Sequence, residues 1–302
     1  MNSREEKMRE THEEIENDIL REKQKKITIL FIKIIIVTFI IIISFFLYIK
    51  YIETAGLLVR ETRIVSNKLP ESFNSAKIIR FSDLYYGSTI YMEEVKKLVN
   101  KINLRNPDIV IFTGNLLNDK YDIKENEIKK LTNELNKINA TLGKYAILSS
   151  DDFNDAEDIL RNSNFKILEN ESELIYNGDE EPILLTALNS NNGNDIKKAF
   201  EYFEKEENNK NIYNILLLES PDDIDSVTDK TIDLALAGKS LNGGICLKED
   251  LCFIKTNGAK KYYQAYYNVK NIPLYISSGI GTRNINFRFI ARPSINFFRL
   301  SK

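Results

Sequence analysis

The chain has 302 residues, enough for one sizeable domain with accessory segments. Its 42 basic and 44 acidic side chains nearly cancel, which removes any global case for binding nucleic acid. Two cysteines are too few for a disulfide framework, and the only histidine is His12.

Residues 1–26 are rich in Glu, Lys and Arg and read as a charged, solvated, partly helical tail, with a partner-binding helix as the alternative. Residues 27–49, ITILFIKIIIVTFIIIISFFLYI, are almost uninterruptedly apolar. As a helix they reach roughly 34 Å, enough to cross a hydrocarbon core of about 30 Å, with Lys33 close enough to one end to snorkel its ammonium outward. The run is too long for a signal peptide and no small-residue cleavage signature follows closely, so it reads as a retained single-pass anchor. Arg21, Lys23, Lys25 and Lys26 flank its N-terminal side, whereas Lys50 stands alone on the other until Arg60. That asymmetry predicts a cytoplasmic N-terminus in a cell membrane and a main domain outside.

Residues 50–74 read as a juxtamembrane linker and 75–302 as one domain, since no Pro- or Gly-rich break interrupts them. Within the domain, short apolar runs alternate with amphipathic stretches. Strands are expected at 76–82, 107–113 and 144–149, and helices at 91–104 (Val95, Leu98, Val99 and Ile102 on one face) and 125–138. The second half repeats the habit with strands at 181–188, 212–218 and 232–238 and a helix at 196–206, before a tail of Tyr-, Ile- and Phe-rich strands. This pattern indicates a layered α/β domain with largely buried sheets.

In such domains chemistry collects where strands end. The loops in order are SDLYYG, TGNLLND, LSSDDF, LLLESPD and LAGKSLNGG. The last ends an apolar run in Gly-Lys-Ser, like a phosphate-binding P-loop, but the glycine needed five residues before Gly238 is Asp233. The P-loop reading fails. Taken together, with the tail YISSGIGTRNINFRF at 275–289, the five loops resemble those of calcineurin-like metallophosphoesterases, most closely membrane-anchored bacterial members, over roughly residues 64–302. That family's loops carry Asp-x-His, Gly-Asp-x-x-Asp, Gly-Asn-His-Asp/Glu, a lone His and Gly-His-x-His-Gly-Gly. The resemblance implies two mixed β-sheets packed together and flanked by helices behind the transmembrane helix.

It also implies degenerate metal positions. Asp83 matches the first ligand, but its histidine partner is Tyr85. The bridging aspartate is Asn115, and the second aspartate of that loop is Asn118 with Asp119 beside it. The metal-binding asparagine is Ser150, the catalytic histidine Asp151, the lone histidine Glu219, and the final two histidines Lys239 and Leu241. Two divalent ions about 4 Å apart repel by roughly 17 kcal/mol at an effective dielectric of 20. Neutral Asn115 is a poor bridge, Leu241 cannot ligate and Lys239 places a cation where a metal would sit. The residues therefore predict no catalytic residue, no metal and no cofactor. Lys239 is expected to act as internal counter-ion to Asp83 and Glu219, the alternative being solvated, unpaired side chains.

The leading expectation is a catalytically inactive binding or scaffolding protein whose partner is a protein, a lipid head group or an envelope polymer, not nucleic acid. Two alternatives stand beside it. Lys239, Ser240, Gly243 and Gly244 form a candidate metal-free anion site. Asp83, Asp151, Asp152 and Glu219 form a candidate rebuilt site for one weakly bound divalent cation such as Mn or Mg, able to support phosphoester hydrolysis. Three further features are read blandly: KYYQAYY (261–267) as aromatics packed on a sheet rather than a carbohydrate platform, and Arg283, Arg288, Arg292 and Arg299 as a solvated strand face or a lipid contact. Cys246 and Cys252 read as small buried residues, or as a pair if they lie on adjoining strands outside the cytoplasm.

Overall fold

The computed structural model describes residues 2–302 apart from 153, 179–180, 190–194, 206–210, 242–245, 249–250, 253–254, 284–287 and 290. It falls into two units, Met1–Ile52 and Glu53–Lys302. The first is helix α1 (Asn2–Leu47), which runs on as a π-helical turn over Tyr48–Ile52. From Ile27 to Leu47 its large apolar side chains are exposed on every side. A helix apolar all round and uncovered by protein has the character of a membrane span, and this one is long and apolar enough to cross a bilayer.

The second unit is built on β1 (Leu58–Val65), β2 (Lys77–Phe81), β3 (Ile109–Thr113), β4 (Gly143–Ile147), β5 (Lys166–Ile167), β6 (Ser172–Ile175), β7 (Ile183–Leu188), β8 (Asn214–Leu218), β9 (Leu234–Ala237), β10 (Cys246–Lys248), β11 (Leu251–Cys252), β12 (Tyr266–Val269), β13 (Ile272–Ile276) and β14 (Ser294–Ser301). One six-stranded sheet has the order β1-β14-β2-β3-β4-β5 and the other β12-β13-β9-β8-β7-β6. Each is mixed: β2, β3, β4 and β5 run parallel, as do β7, β8, β9 and β13, with antiparallel pairs β14–β2, β12–β13 and β6–β7. Strand alternation sorts the side chains. Ile79, Phe81, Val110 and Phe112 face helices α2 (Met92–Asn103), α3 (Glu125–Asn136) and α4 (Asn154–Asn162). Ile78, Ile109 and Ile111 face Ile215, Leu217, Leu234 and Leu236 of the other sheet. The second sheet's outer face buries Leu216, Leu218 and Leu274 under α5 (Ile196–Ala199) and the neighbouring loops. The expected two-sheet sandwich flanked by helices is the fold.

Several expectations need correction. Residues 58–65, inside the stretch read as a linker, form β1, because an alternating LVRETRIV segment pairs in full register with β14. The helix expected over 196–206 is two short ones, Ile196–Ala199 and Glu201–Lys205, broken at Phe200, whose φ of −103° is non-helical. The arginines do not share one solvated face. Arg288 is buried, Arg292 donates to the Ala55 carbonyl and Arg299 pairs with Glu61. The tyrosine cluster does pack on the sheet, with Tyr262 stacked edge-on against Tyr267 at 5.1 Å. Backbone register sets position 246 opposite 252 across β10 and β11.

Candidate functional site

Parallel strands of both sheets end at a common edge, and every loop singled out in the sequence leaves from there: Asp83 after β2, Asn115 after β3, Ser150 after β4, Glu219 after β8 and Lys239 after β9. The two sheets meet closely at this edge. A Cβ added to Gly238 would stand 2.4 Å from the Thr113 carbonyl oxygen, so only glycine lets β9 approach the end of β3. Beneath the loops Arg80 of β2, wholly buried, donates to the Ala237 carbonyl of β9 and, at 3.0 Å, to Asn296.

The backbone here is unusual. Asp83, Tyr85, Asn115, Lys239 and Leu241 all have positive φ, between 45° and 62°. Such conformations are sparsely populated for non-glycine residues, and for Tyr, Lys and Leu they cost of order 1 kcal/mol or more each. Backbone strain of this kind clusters at ligand-holding and catalytic loops.

Side-chain contacts fill the loops with internal pairs. The Asp83 carboxylate is buried; it accepts from the Ser82 hydroxyl, from Asn115 Nδ2 at 2.8 Å and from the Lys239 backbone N–H at 3.2 Å. Burial pushes its pKa up to about 6, against which these hydrogen bonds and the nearby Arg288 guanidinium hold it down. Asn115 uses its whole amide: Nδ2 serves Asp83, and Oδ1 accepts from Ser149 Oγ at 2.8 Å. Asp152 accepts three backbone N–H groups, from Asn115, Leu116 and Ser149, at 2.7–2.9 Å, tying the second loop to the third. Tyr85 is buried in the first loop, and burial together with Asp83 raises its phenol well above the usual range, so it stays neutral.

Two cations complete the cluster. Lys239 Nζ lies 2.6 Å from Oε1 of the fully buried Glu219 and 3.2 Å from Ser150 Oγ. The ion pair with Glu219 is as expected. The one with Asp83 is not, because Asp83 is already satisfied and meets Lys239 only through the backbone N–H. Lys239 Nζ thus sits between the Ser150 hydroxyl and the Glu219 carboxylate, with the carboxylate the nearer of the two. The second cation is Arg283, which grips Asp151 with two N–H bonds at 3.0 and 3.1 Å and Asp119 with a third at 3.0 Å. Arg283, which the sequence offers as part of a solvated strand face or a lipid contact, instead binds two loop carboxylates. The run of carboxylates at Asp119, Asp151 and Asp152 was the signal that a cation must reach this edge. Asn118 turns away from the cluster, donating to the Arg283 carbonyl at 2.8 Å.

Below them Arg288 donates to the carbonyls of Ser278, Gly281 and Ala291 at 2.5–2.8 Å. Gly279, at φ +66°, lets that loop press on the first, since a Cβ there would meet Leu241 Cδ2 at 2.5 Å and Asp83 Cβ at 2.8 Å. Of the candidate anion site, Lys239 and Ser240 point to internal partners, Ser240 Oγ donating to the Tyr263 carbonyl at 2.6 Å. Gly243 and Gly244 lie outside the described residues. Among the described residues no three His, Cys, Asp or Glu side chains converge as a metal-ligand group.

No family model matches the chain. It is 26% identical over 262 residues to uncharacterized metallophosphoesterase YkuE of Bacillus subtilis, an alignment covering 84% of this chain and 88% of that protein. It is 23% identical over 254 residues to the Danio rerio transmembrane protein with metallophosphoesterase domain, covering 78% of this chain and 55% of the relative. Among solved structures, the calcineurin-like phosphoesterase YfkN from Bacillus subtilis matches over 68% of this chain and 81% of its own, at 13% identity and a TM-score of 0.40, a likeness too loose to carry more.

Proposed function

The chain belongs to the metallophosphoesterase family, and we propose that within it this protein is a membrane-anchored binding or scaffolding module that no longer hydrolyses phosphoesters. One observation carries the reading: three carboxylates at the loop edge, Glu219, Asp151 and Asp119, are already paired with side-chain cations, and Asp83 and Asp152 are held by internal hydrogen-bond donors. Lys239 lies 2.6 Å from Glu219, and Arg283 is doubly bonded to Asp151 and singly to Asp119.

A pair of divalent cations does not fit these donors. The position that would bridge them is an amide with both ends occupied, another is Leu241, and a third carries an ammonium. Fixed internal cations also remove the need for metal, since they offset carboxylate repulsion without an ion to bind. A single oxygen-ligated ion fits no better. Of Asp83, Asp151, Asp152 and Glu219, each holds its own hydrogen-bond donors, and their carboxylates would have to abandon these to converge. No histidine of the second unit can protonate a leaving group, since His12 precedes the apolar helix.

In this reading α1 anchors the chain in the cell membrane, with residues 1–26 on the cytoplasmic side, as the basic flank indicates. The strained but internally paired loops present a fixed surface, available to a protein, a lipid head group or an envelope polymer. The test is turnover of a generic phosphodiester, bis(p-nitrophenyl) phosphate, by the full chain with added Mn²⁺. The reading expects background rates, unchanged in Asp83→Ala. Turnover that Asp83→Ala abolishes would overturn it.

A further inference from the structure

A groove of about 560 Å³ lies between helix α2 and the chain entering β1. Its walls include the apolar side chains of Leu57, Ile90 and Leu104; its cationic groups are Lys97, Lys101 and Arg288, against one carboxylate, Glu94. We propose that this groove holds the phosphate head group and upper acyl chain of an anionic membrane lipid.

Three observations carry it. The first is charge. Lys101 Nζ donates to the Leu57 carbonyl, which uses one of its three N–H groups, and among the described residues no carboxylate pairs with it. Lys97 has only a loose contact with Glu94, at 3.7 Å, and its side chain is 73% exposed. The second is a buried donor. Arg288 is 1% exposed, and its hydrogen bonds go to the Ser278, Gly281 and Ala291 carbonyls; the buried Asp83 carboxylate is near it without bonding it, and its Nε–H has no partner. A buried guanidinium with a spare donor in the wall of a cavity that also carries two lysines suits an anion. The third is chain length. Leu57 follows Ile52, the end of the apolar helix, by five residues, which extend to at most about 18 Å. The covalent chain therefore keeps this wall within reach of the head-group layer of any bilayer that α1 enters.

Leu57, Ile90 and Leu104 supply contact for methylene groups, which a free phosphate does not need. The inference rests on α1 being membrane-inserted and not on the loss of hydrolysis.

The chain contains no tryptophan, so Leu104→Trp, at a position 66% exposed, gives a single reporter in the groove. The full chain carrying it is reconstituted in phosphatidylcholine vesicles doped with a minor fraction of brominated phosphatidylglycerol or, separately, brominated phosphatidylcholine. Fluorescence quenching by the anionic lipid should exceed that by the zwitterionic one. The preference should fall roughly fivefold for each lysine removed in Lys97→Gln and in Lys97→Gln/Lys101→Gln. Lys97→Gln alone decides the matter if the double variant does not fold. Equal quenching by both lipids, or a preference indifferent to Lys97, overturns the groove assignment. A chain that fails to float with phosphatidylcholine vesicles overturns the anchoring on which it rests, so the two failures are told apart.

Discussion

Replacing Lys239 with methionine removes the ammonium and keeps most of the side-chain volume. Glu219 is fully buried, and its second oxygen, Oε2, already lacks a hydrogen-bond partner. Without Lys239 the carboxylate keeps only the Ser150 N–H and hydroxyl, at 3.2 and 3.3 Å. Removing one member of a buried ion pair costs about 3–5 kcal/mol. The Lys239 side chain retains 12% exposure, which places the expected loss in the lower part of that range, about 3–4 kcal/mol. For a domain of this size each kcal/mol moves Tm by about 2 °C, so differential scanning fluorimetry at neutral pH should show a fall of about 6–8 °C. One control identifies the cause. The double variant E219Q/K239M removes the stranded Glu219 charge as well and should recover most of the loss. A single-variant deficit below about 1 kcal/mol, the size of an ordinary surface pair, would refute the reasoning. So would a double variant no better than K239M.

Other outcomes follow from the same contacts. Asp83, with its pKa raised from 3.8 to about 6, contributes stability that is present at low pH and lost as pH rises through 6. Tm should therefore decline between about pH 4 and pH 6 through this group, and Asp83→Asn should flatten the profile in scanning calorimetry. Arg283→Ala frees Asp119 and Asp151, which are one-quarter exposed; Tm should fall modestly, by no more than about 1 kcal/mol per pair. Hydrogen exchange in that variant should accelerate at residues 115–119 and 149–152 and not in β2 or β3. Gly279→Ala forces a Cβ at positive φ into Leu241 and Asp83, and should cost about 1–3 kcal/mol in chemical denaturation.

Much of this was legible before the structure. Apolar runs such as IVIFT and NILLL are buried on both faces, so their strands read as continuous hydrophobic segments. Helix α2 showed itself through Val95, Leu98, Val99 and Ile102 at helical spacing, all of them buried. The loop positions were legible because strand ends in such sheets gather at one edge. Strand β1 was missed because its partner, β14, lies at the far end of the chain, and pairing across that distance leaves no local mark. Arg283 and Arg288 were misplaced for a related reason. A polar run near a C-terminus resembles a solvated face, and only the fold reveals that it returns beneath the first loop. Lys239 was assigned the right role with one partner too many, since sequence cannot show that the lone pairs of Asp83 are already filled.

The central claim is that side-chain cations stand where family members hold metal. It is tested most directly by crystals of the full chain soaked in manganese, with anomalous maps collected at the metal edge. The account predicts no anomalous peak among the loops at Asp83, Asn115, Ser150, Glu219 and Lys239, with Lys239 Nζ still against Glu219. Two peaks about 4 Å apart in that space, with the lysine displaced, would contradict it.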